Sequence, residues 1–238
     1  MTHDEFCDLL ARRGLVLTVK QKEQFGRFFE LLVDWNQRMN LTGITEEPEV
    51  YAKHFYDSLD PFLEFDFSNT KTVCDVGTGA GFPGMPLAIA YPEVQFNLID
   101  SLGKRIDFLN FCIVELGLDN AEAHHVRAED FAEKKRETFD LVTSRAVARL
   151  NILAELCVPL VKVGGSFITL KGPAGHEELL EAKQGPLRLG VKHKKSIDVD
   201  IDGIGARVNL YFEKVESTPK KYPRAFGQIK KNPLKISK

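Results

Sequence analysis

Glycines occupy three alternate positions, Gly77, Gly79 and Gly81, directly after the apolar run Thr72-Val73-Cys74-Asp75-Val76. A run of that length and β-branched content is a buried strand. Removing side chains just beyond it lets the backbone turn sharply into a helix and present bare N–H groups to a ligand. This arrangement belongs at the switch point of a parallel sheet, where ligands settle outside the carboxyl ends of the strands.

The rest of the chain agrees with such a sheet. Apolar runs of about five residues recur at Gln95 to Ile99, Ala121 to Val126, Phe139 to Thr143 and Ser166 to Leu170. Helical stretches near Pro86 to Ala90, Arg105 to Leu116 and Arg149 to Leu160 separate them. Two later strands, Lys194 to Ile201 and Arg207 to Val215, flank Asp202-Gly203-Ile204-Gly205, which suits a hairpin turn. The expected fold is therefore α/β, Rossmann-like, with a mostly parallel seven-stranded sheet covered by helices on both faces. Ahead of it, residues 1–65 read as a helical extension: apolar positions recur at helical spacing from Asp4 to Asn40, Thr18 and Gln21 resemble a capping box, and Pro48 can open a helix running to Leu59. The expected division is 1–65 extension, 66–216 catalytic domain and 217–238 tail.

Charge sets the tail apart. The net charge of −2 combines +7 on residues 217–238, which hold no acid, with −9 on the remaining 216 residues. An acidic body does not attract nucleic acid by bulk charge, whereas a basic tail with Tyr222 and Phe226 between its cations suits phosphates and unpaired bases; the opposing reading is a solvated end. With 43% hydrophobic and 28% charged residues, and acids and bases among the leucines of residues 1–16, neither a membrane span nor a signal peptide is expected, and the location expected is the cytoplasm. Cys7, Cys74, Cys112 and Cys157 lie 67, 38 and 45 residues apart, a spacing of no metal site, so reduced core thiols and no metal are expected.

The glycine segment admits two ligands. Gly79, Gly81 and Gly84 spell the dinucleotide pattern G-x-G-x-x-G, and Asp100 ends the second strand where a ribose-binding carboxylate belongs. Asp75, two residues before Gly77, would repel a pyrophosphate but attract the ammonium and sulfonium of S-adenosylmethionine, and the frame D-x-G-x-G-x-G fits that ligand better. Glu129 or Asp130 after the third strand can meet the adenine edge, and a terminal hairpin is typical of methyl-transfer folds. An NAD-dependent oxidoreductase, a glycine turn without a ligand, and an RNA-binding or ribosome-assembly factor that has lost catalysis remain the rivals.

The nucleophile is narrowed by absence. Thr143-Ser144-Arg145-Ala146 stands where enzymes acting on exocyclic amines carry Asn/Asp-Pro-Pro-aromatic, and no cysteine sits in a loop suited to attack on cytosine C5. Guanine N7 offers a lone pair and loses no proton on methylation, so it requires positioning and electrostatics without a general base. Arg145 and Lys171, at successive strand ends, suit that role as catalytic cations, guanine O6 and N7 and RNA phosphates being their usual targets; pairing with nearby carboxylates is the alternative.

Taken together, Val33-Asp34-Trp35-Asn36, Met39-Asn40-Leu41-Thr42, His54-Phe55-Tyr56-Asp57-Ser58-Leu59, the glycine segment, Asp100-Ser101-Leu102-Gly103-Lys104-Arg105, Arg127-Ala128-Glu129, Ser144-Arg145-Ala146 and Leu170-Lys171-Gly172 resemble the glucose-inhibited division protein B family. Thr218 to Arg224 resembles its longer, Gram-positive-type members. The resemblance implies a class I S-adenosylmethionine-dependent methyltransferase acting on guanine N7 of 16S ribosomal RNA, free or in an assembling small subunit; a monomer is expected, though the sequence itself does not fix the oligomeric state. It also implies cofactor contacts at Gly77, Phe82, Ala128, Glu129 and Arg145, with Asp100, Ser101 and Leu102 beside ribose and adenine. His54 belongs to the family pattern; bonding the glycine loop, touching RNA or a satisfied structural role are all open to it.

Overall fold

The computed structural model describes residues 1–182, 185–201 and 205–234. Two capped helices open the chain. In both α1 (His3–Arg12) and α2 (Val19–Asn36) a threonine, Thr2 or Thr18, accepts from the backbone N–H three residues on, while Glu5 or Gln21 reaches back to the cap. The stretch expected to start at Pro48 is one helical rod of mixed winding: α3 (Glu47–Val50), a π-helical turn at Tyr51–Tyr56, α4 (Asp57–Leu59) and a 3-10 turn at Asp60–Phe62. π turns of this kind gather at functional sites.

Seven strands follow: β1 (Thr72–Val76), β2 (Gln95–Asp100), β3 (Ala121–His125), β4 (Phe139–Arg145), β5 (Val161–Lys171), β6 (Val191–Ile201) and β7 (Gly205–Lys214). They form one sheet in the order β3-β2-β1-β4-β5-β7-β6. β1 pairs in parallel with β2 and β4, β2 with β3 and β4 with β5, while β7 runs antiparallel to both β5 and β6. The central strands are buried on both faces, as parallel strands between helices have to be. Strand order reverses between β1 and β4, which puts the switch point at the glycine segment. The expected strands are all present. β4 and β5 are longer than expected, since Ser144 and Arg145 continue the ladder with Thr169 and Leu170, and Phe139 pairs with Val161. Asp202, Gly203 and Ile204 of the expected hairpin turn lie outside the described residues; Ile201 pairs with Gly205 across it.

Each face of the sheet has its own apolar cluster. On one, α5 (Gly84–Ala90) and α6 (Gly103–Glu115) share a continuous core with the N-terminal helices, in which Phe28 packs on Phe55, Phe82 and Phe108 at centroid distances of 5.5, 5.7 and 6.5 Å. Residues 1–65 thus have no separate core. The other face is covered by α7 (Ala128–Lys134), α8 (Leu150–Cys157), α9 (Gly175–Ala182), α10 (Gly185–Arg188) and the C-terminal α11 (Phe226–Lys231).

That last contact corrects the reading of the tail. Tyr222, Ile229 and Leu234 are buried, and the Arg136 guanidinium donates to the carbonyl oxygens of Thr218, Pro219 and Tyr222 at 2.6–3.1 Å. Lys214, fully enclosed, donates to the Val158 carbonyl and to Thr218 Oγ1. Tyr222 is therefore not free to stack on a base, and Phe226 is half-buried; among the described residues of this segment, Lys220, Lys221, Lys230 and Lys231 are the exposed lysines. All four cysteines are free and buried. Among the described residues no helix is long and apolar enough to cross a membrane, and no group of three or more His, Cys, Asp or Glu gathers as a metal site.

Candidate functional site: two adjoining clefts

At the carboxyl ends of the central strands lie two clefts that share a wall. The first, about 290 Å³, is lined by Val76 and Gly77 after β1, Asp100 and Ser101 after β2, Arg127, Ala128 and Glu129 after β3, and Ala146 and Val147 after β4. Ile99, Val126, Leu156 and Phe226 add apolar wall, and Arg105 reaches in from α6. Gly77 has φ +70°, and a Cβ there would stand 2.4 Å from Val147 Cγ2, so only glycine admits the β4 loop this close. That loop is itself strained: Ala146 holds φ +56°, a conformation non-glycine residues adopt at a cost of roughly 1–3 kcal/mol, and thereby turns Val147 onto Gly77.

Asp100 is the buried acid of this cleft. Its Oδ1 accepts from the Leu102 N–H at 2.9 Å, and its Oδ2 accepts from the Gly79 N–H at 3.0 Å and from Arg105 at 3.2 Å. With Glu129 nearby, the lining sets two carboxylates, each with an arginine beside it (Arg105 3.2 Å from Asp100, Arg127 3.9 Å from Glu129), against apolar surface, an arrangement that suits a nucleoside carrying ribose hydroxyls.

Several of the residues expected at the cofactor stand outside the lining of this cleft. Asp75 does not line the cleft: it lies wholly buried behind the glycine turn, where its Oδ2 accepts from the Gly84 N–H at 2.9 Å at the start of α5 and its Oδ1 has no hydrogen-bond partner. Burial pushes this carboxyl up to about 6. A Cβ on Gly84 would meet Leu98 Cδ2 at 2.2 Å and Asp75 Oδ2 at 2.8 Å, so the last glycine of the pattern seats the helix on the sheet. Gly79 and Gly81 shape the turn without lining the cleft. Phe82 belongs to the aromatic core, and Leu102 projects outward from the N-terminus of α6, contributing its backbone N–H to Asp100. Arg145, expected at the cofactor, lines the second cleft instead.

The second cleft, about 590 Å³, begins across Ala146 and Val147 and is bounded by Lys53, His54, Asp57, Arg145, Lys171, Glu178 and Arg207 among others. Its centre is Asp57. One of its oxygens takes Arg145 Nη1 at 2.9 Å and the other takes Arg207 Nε at 3.0 Å, in surroundings that leave all three side chains mostly covered. The Arg145 guanidinium also lies 5.1 Å from the centre of the Phe82 ring. Lys171 meets Glu178 at 2.9 Å and donates to the Ala148 carbonyl at 2.6 Å, so the carboxylate partner considered as an alternative for it is present. No local pattern announces this cluster: Asp57 falls within the His54-to-Leu59 motif, Glu178 follows Lys171 at no motif spacing, and Arg207 lies 150 residues from Asp57.

His54 stacks on Phe82 with centroids 4.6 Å apart, shares a 2.8 Å hydrogen bond with Thr42 Oγ1, and keeps Nδ1 buried without a partner. Burial, reinforced by the Arg145 charge, pushes it down to about 4, so it is neutral at neutral pH. A lowered value means that the unfolded chain takes up the proton first as pH falls, so the stabilisation is full above about 6.5 and is lost toward 4. Asp75 acts in the opposite sense, its raised value favouring the folded state as pH falls below 6. Comparing chemical denaturation of the protein and of His54→Gln isolates the histidine: between pH 7 and 4 the unsubstituted protein is expected to lose on the order of 2 kcal/mol more than the variant. Parallel pH curves would count against it.

A doubly wound sheet of this order, closed by an antiparallel hairpin and opening on a glycine turn beside a buried ribose-type acid, is the class I S-adenosylmethionine-dependent methyltransferase fold. TYW2 of M. jannaschii, solved in complex with AdoMet, superposes with a TM-score of 0.51 at 17% identity over 61% of this chain and 70% of that one, a likeness of fold. A family model described as rRNA small subunit methyltransferase G matches residues 21–200, and the chain belongs to that family. It is 50% identical to the ribosomal RNA small subunit methyltransferase G of Brevibacillus brevis over 98% of this chain and 100% of that one. It is 51% identical to the Staphylococcus haemolyticus protein of the same name over 94% and 95%.

Proposed function

We propose that the protein moves a methyl group from S-adenosylmethionine to N7 of a guanine in 16S ribosomal RNA, acting in the cytoplasm as a monomer and without a metal. Family membership supports the substrate class, and the observation that carries the chemistry is the second cleft: beside the cofactor cleft it offers cations and no free base. Among the described residues that line it, Lys53, Arg145, Lys171 and Arg207 face the two carboxylates Asp57 and Glu178, both held in ion pairs. His54, pushed down to about 4, is a poor proton acceptor at neutral pH.

S-adenosylmethionine supplies a methyl on a sulfonium, an electrophile that needs no activation. Gly77, Asp100, Ser101, Ala128 and Glu129 would hold the cofactor. Arg145 would orient guanine through O6 and balance a neighbouring phosphate, and Lys171, fixed by Glu178 and Ala148, would add positive potential at the mouth. No proton has to leave N7, so positioning in a field of fixed charge is the main contribution asked of the protein.

The test is methyl transfer from labelled S-adenosylmethionine to small subunits or 16S ribosomal RNA lacking the modification, with the product mapped by chemical cleavage at N7-methylguanosine. The single-turnover rate is expected to stay within about twofold from pH 6 to 8.5. A tenfold rise per pH unit, or label at another atom, would displace the reading.

The lysines of the C-terminal segment are assigned to RNA phosphates. Changing Lys220, Lys221, Lys230 and Lys231 together to Gln is expected to flatten the slope of log affinity for RNA against log salt by about 2 to 3, at roughly 0.7 per contact. Equal slopes would assign these lysines to solvent alone.

A further inference from the structure

The C-terminal segment lies beyond residues 21–200, the range matched by the family model, yet it is built into the body of the protein. Its anchor is Glu155 on α8, a carboxylate with 0% exposure. Oε1 accepts from the Arg224 N–H at 2.9 Å and from Arg224 Nε at 2.8 Å, while Oε2 takes Nη2 at 2.6 Å. A fork this complete around a fully buried acid fixes the path of the backbone, and an undocked segment would leave that acid without its partner. Two residues further on, Phe226 opens α11 and stands in the wall of the first cleft beside Leu156 and Ala128. Neighbouring residues of α8 therefore divide two tasks: Glu155 holds the segment and Leu156 lines the cleft.

We propose that this segment is part of the cofactor cleft, with the Phe226 ring walling the purine of the bound nucleoside, so that docking of the segment and occupancy of the cleft stabilise each other. The inference rests on the reading of this cleft as the S-adenosylmethionine site. The polarity of the lining supports the placement. The Asp100 carboxylate takes hydroxyl donors, whereas Val126, Ala128, Leu156 and Phe226 offer the apolar surface that a flat purine needs, and an aromatic ring is the best single contributor to such a surface. A ligand that meets only the docked arrangement must by linkage favour docking.

The experiment uses the full chain and two probes, S-adenosylhomocysteine and methylthioadenosine, the second of which lacks the amino-acid half. In calorimetric titrations Phe226→Ala is expected to weaken both by about the same factor, near tenfold, with Phe226→Leu between the variant and the unsubstituted protein. Because Phe226 is only half-buried, these variants keep the fold, which thermal melting checks. In a second measurement, trypsin cleavage after the exposed Lys221, Lys230 and Lys231 is expected to slow at least threefold when either probe is present. Unchanged affinities together with unchanged cleavage overturn the proposal. So does a loss confined to S-adenosylhomocysteine, which would place Phe226 at the amino-acid end. If the unsubstituted protein binds neither probe, the reading of the cleft itself falls, and the proposal with it.

Discussion

Arg145→Ala is expected to lower the single-turnover methyl-transfer rate by a hundredfold or more while leaving S-adenosylhomocysteine affinity within about threefold. The two readouts separate because Arg145 lines the second cleft and not the first. On the proposed reading, removing the guanidinium takes away a fixed charge beside the reacting base, and losing one preorganised donor of this kind typically costs about 2.7–4 kcal/mol of transition-state stabilisation. The fold survives because Asp57 keeps Arg207 at 3.0 Å and is not left as an isolated buried charge. Arg145→Lys should recover little, since a point charge does not reproduce the planar fork that spans Asp57 and the Phe82 face. Near-normal turnover in Arg145→Ala would leave the residue as part of a structural ion pair and nothing more.

Gly77→Ala is expected to damage both clefts at once: S-adenosylhomocysteine affinity should fall by at least thirtyfold and turnover with it. The added methyl meets Val147 at 2.4 Å on a backbone with φ +70°, and Val147 lines both clefts, so relief of the clash moves their common wall. Gly79→Ala is the matching control. Its φ is +63°, so it carries similar backbone strain, but its Cβ finds nothing within 4 Å, and it should cost only the roughly 1–3 kcal/mol of an unfavourable φ. Isothermal titration of both variants, each checked for its melting temperature, decides the point. Equal losses would mean that backbone strain alone matters and that the contact with Val147 does not.

The comparison of sequence with structure divides along the distance between interacting residues. Whereas Ala128 was named by the family resemblance alone, the placing of Gly77, Asp100 and Glu129 at the first cleft was legible because strand, turn and following helix are local, and local spacing carries the information. The capping box of Thr18 and Gln21 was readable for the same reason. Asp75 was recognised as an important acid but set on the wrong side of the turn, because alternation along a strand does not say which face the next loop will cover. The clasp of Asp57 with Arg145 and Arg207 and the anchoring of Arg224 by Glu155 join residues 69 to 150 apart, and no pattern of spacing announces such pairs. Charge alone gave a misleading picture of the tail. Seven cations without an acid suggest a solvated arm, while the determining features were Tyr222, Ile229 and Leu234, scattered apolar residues whose partners lie on α8 and around Gly185.

The clasp around Asp57 has a consequence for the birth of the molecule. Its three members come from the N-terminal rod, from the end of β4 and from the start of β7, so the second cleft is complete only once Arg207 is in place and the last hairpin has joined the sheet. Contacts between residues this far apart carry a large loop-closure cost and slow folding. Until Arg207 has been synthesised and docked, Asp57 lacks one of its two arginines, so the second cleft is among the last parts of the molecule to be completed.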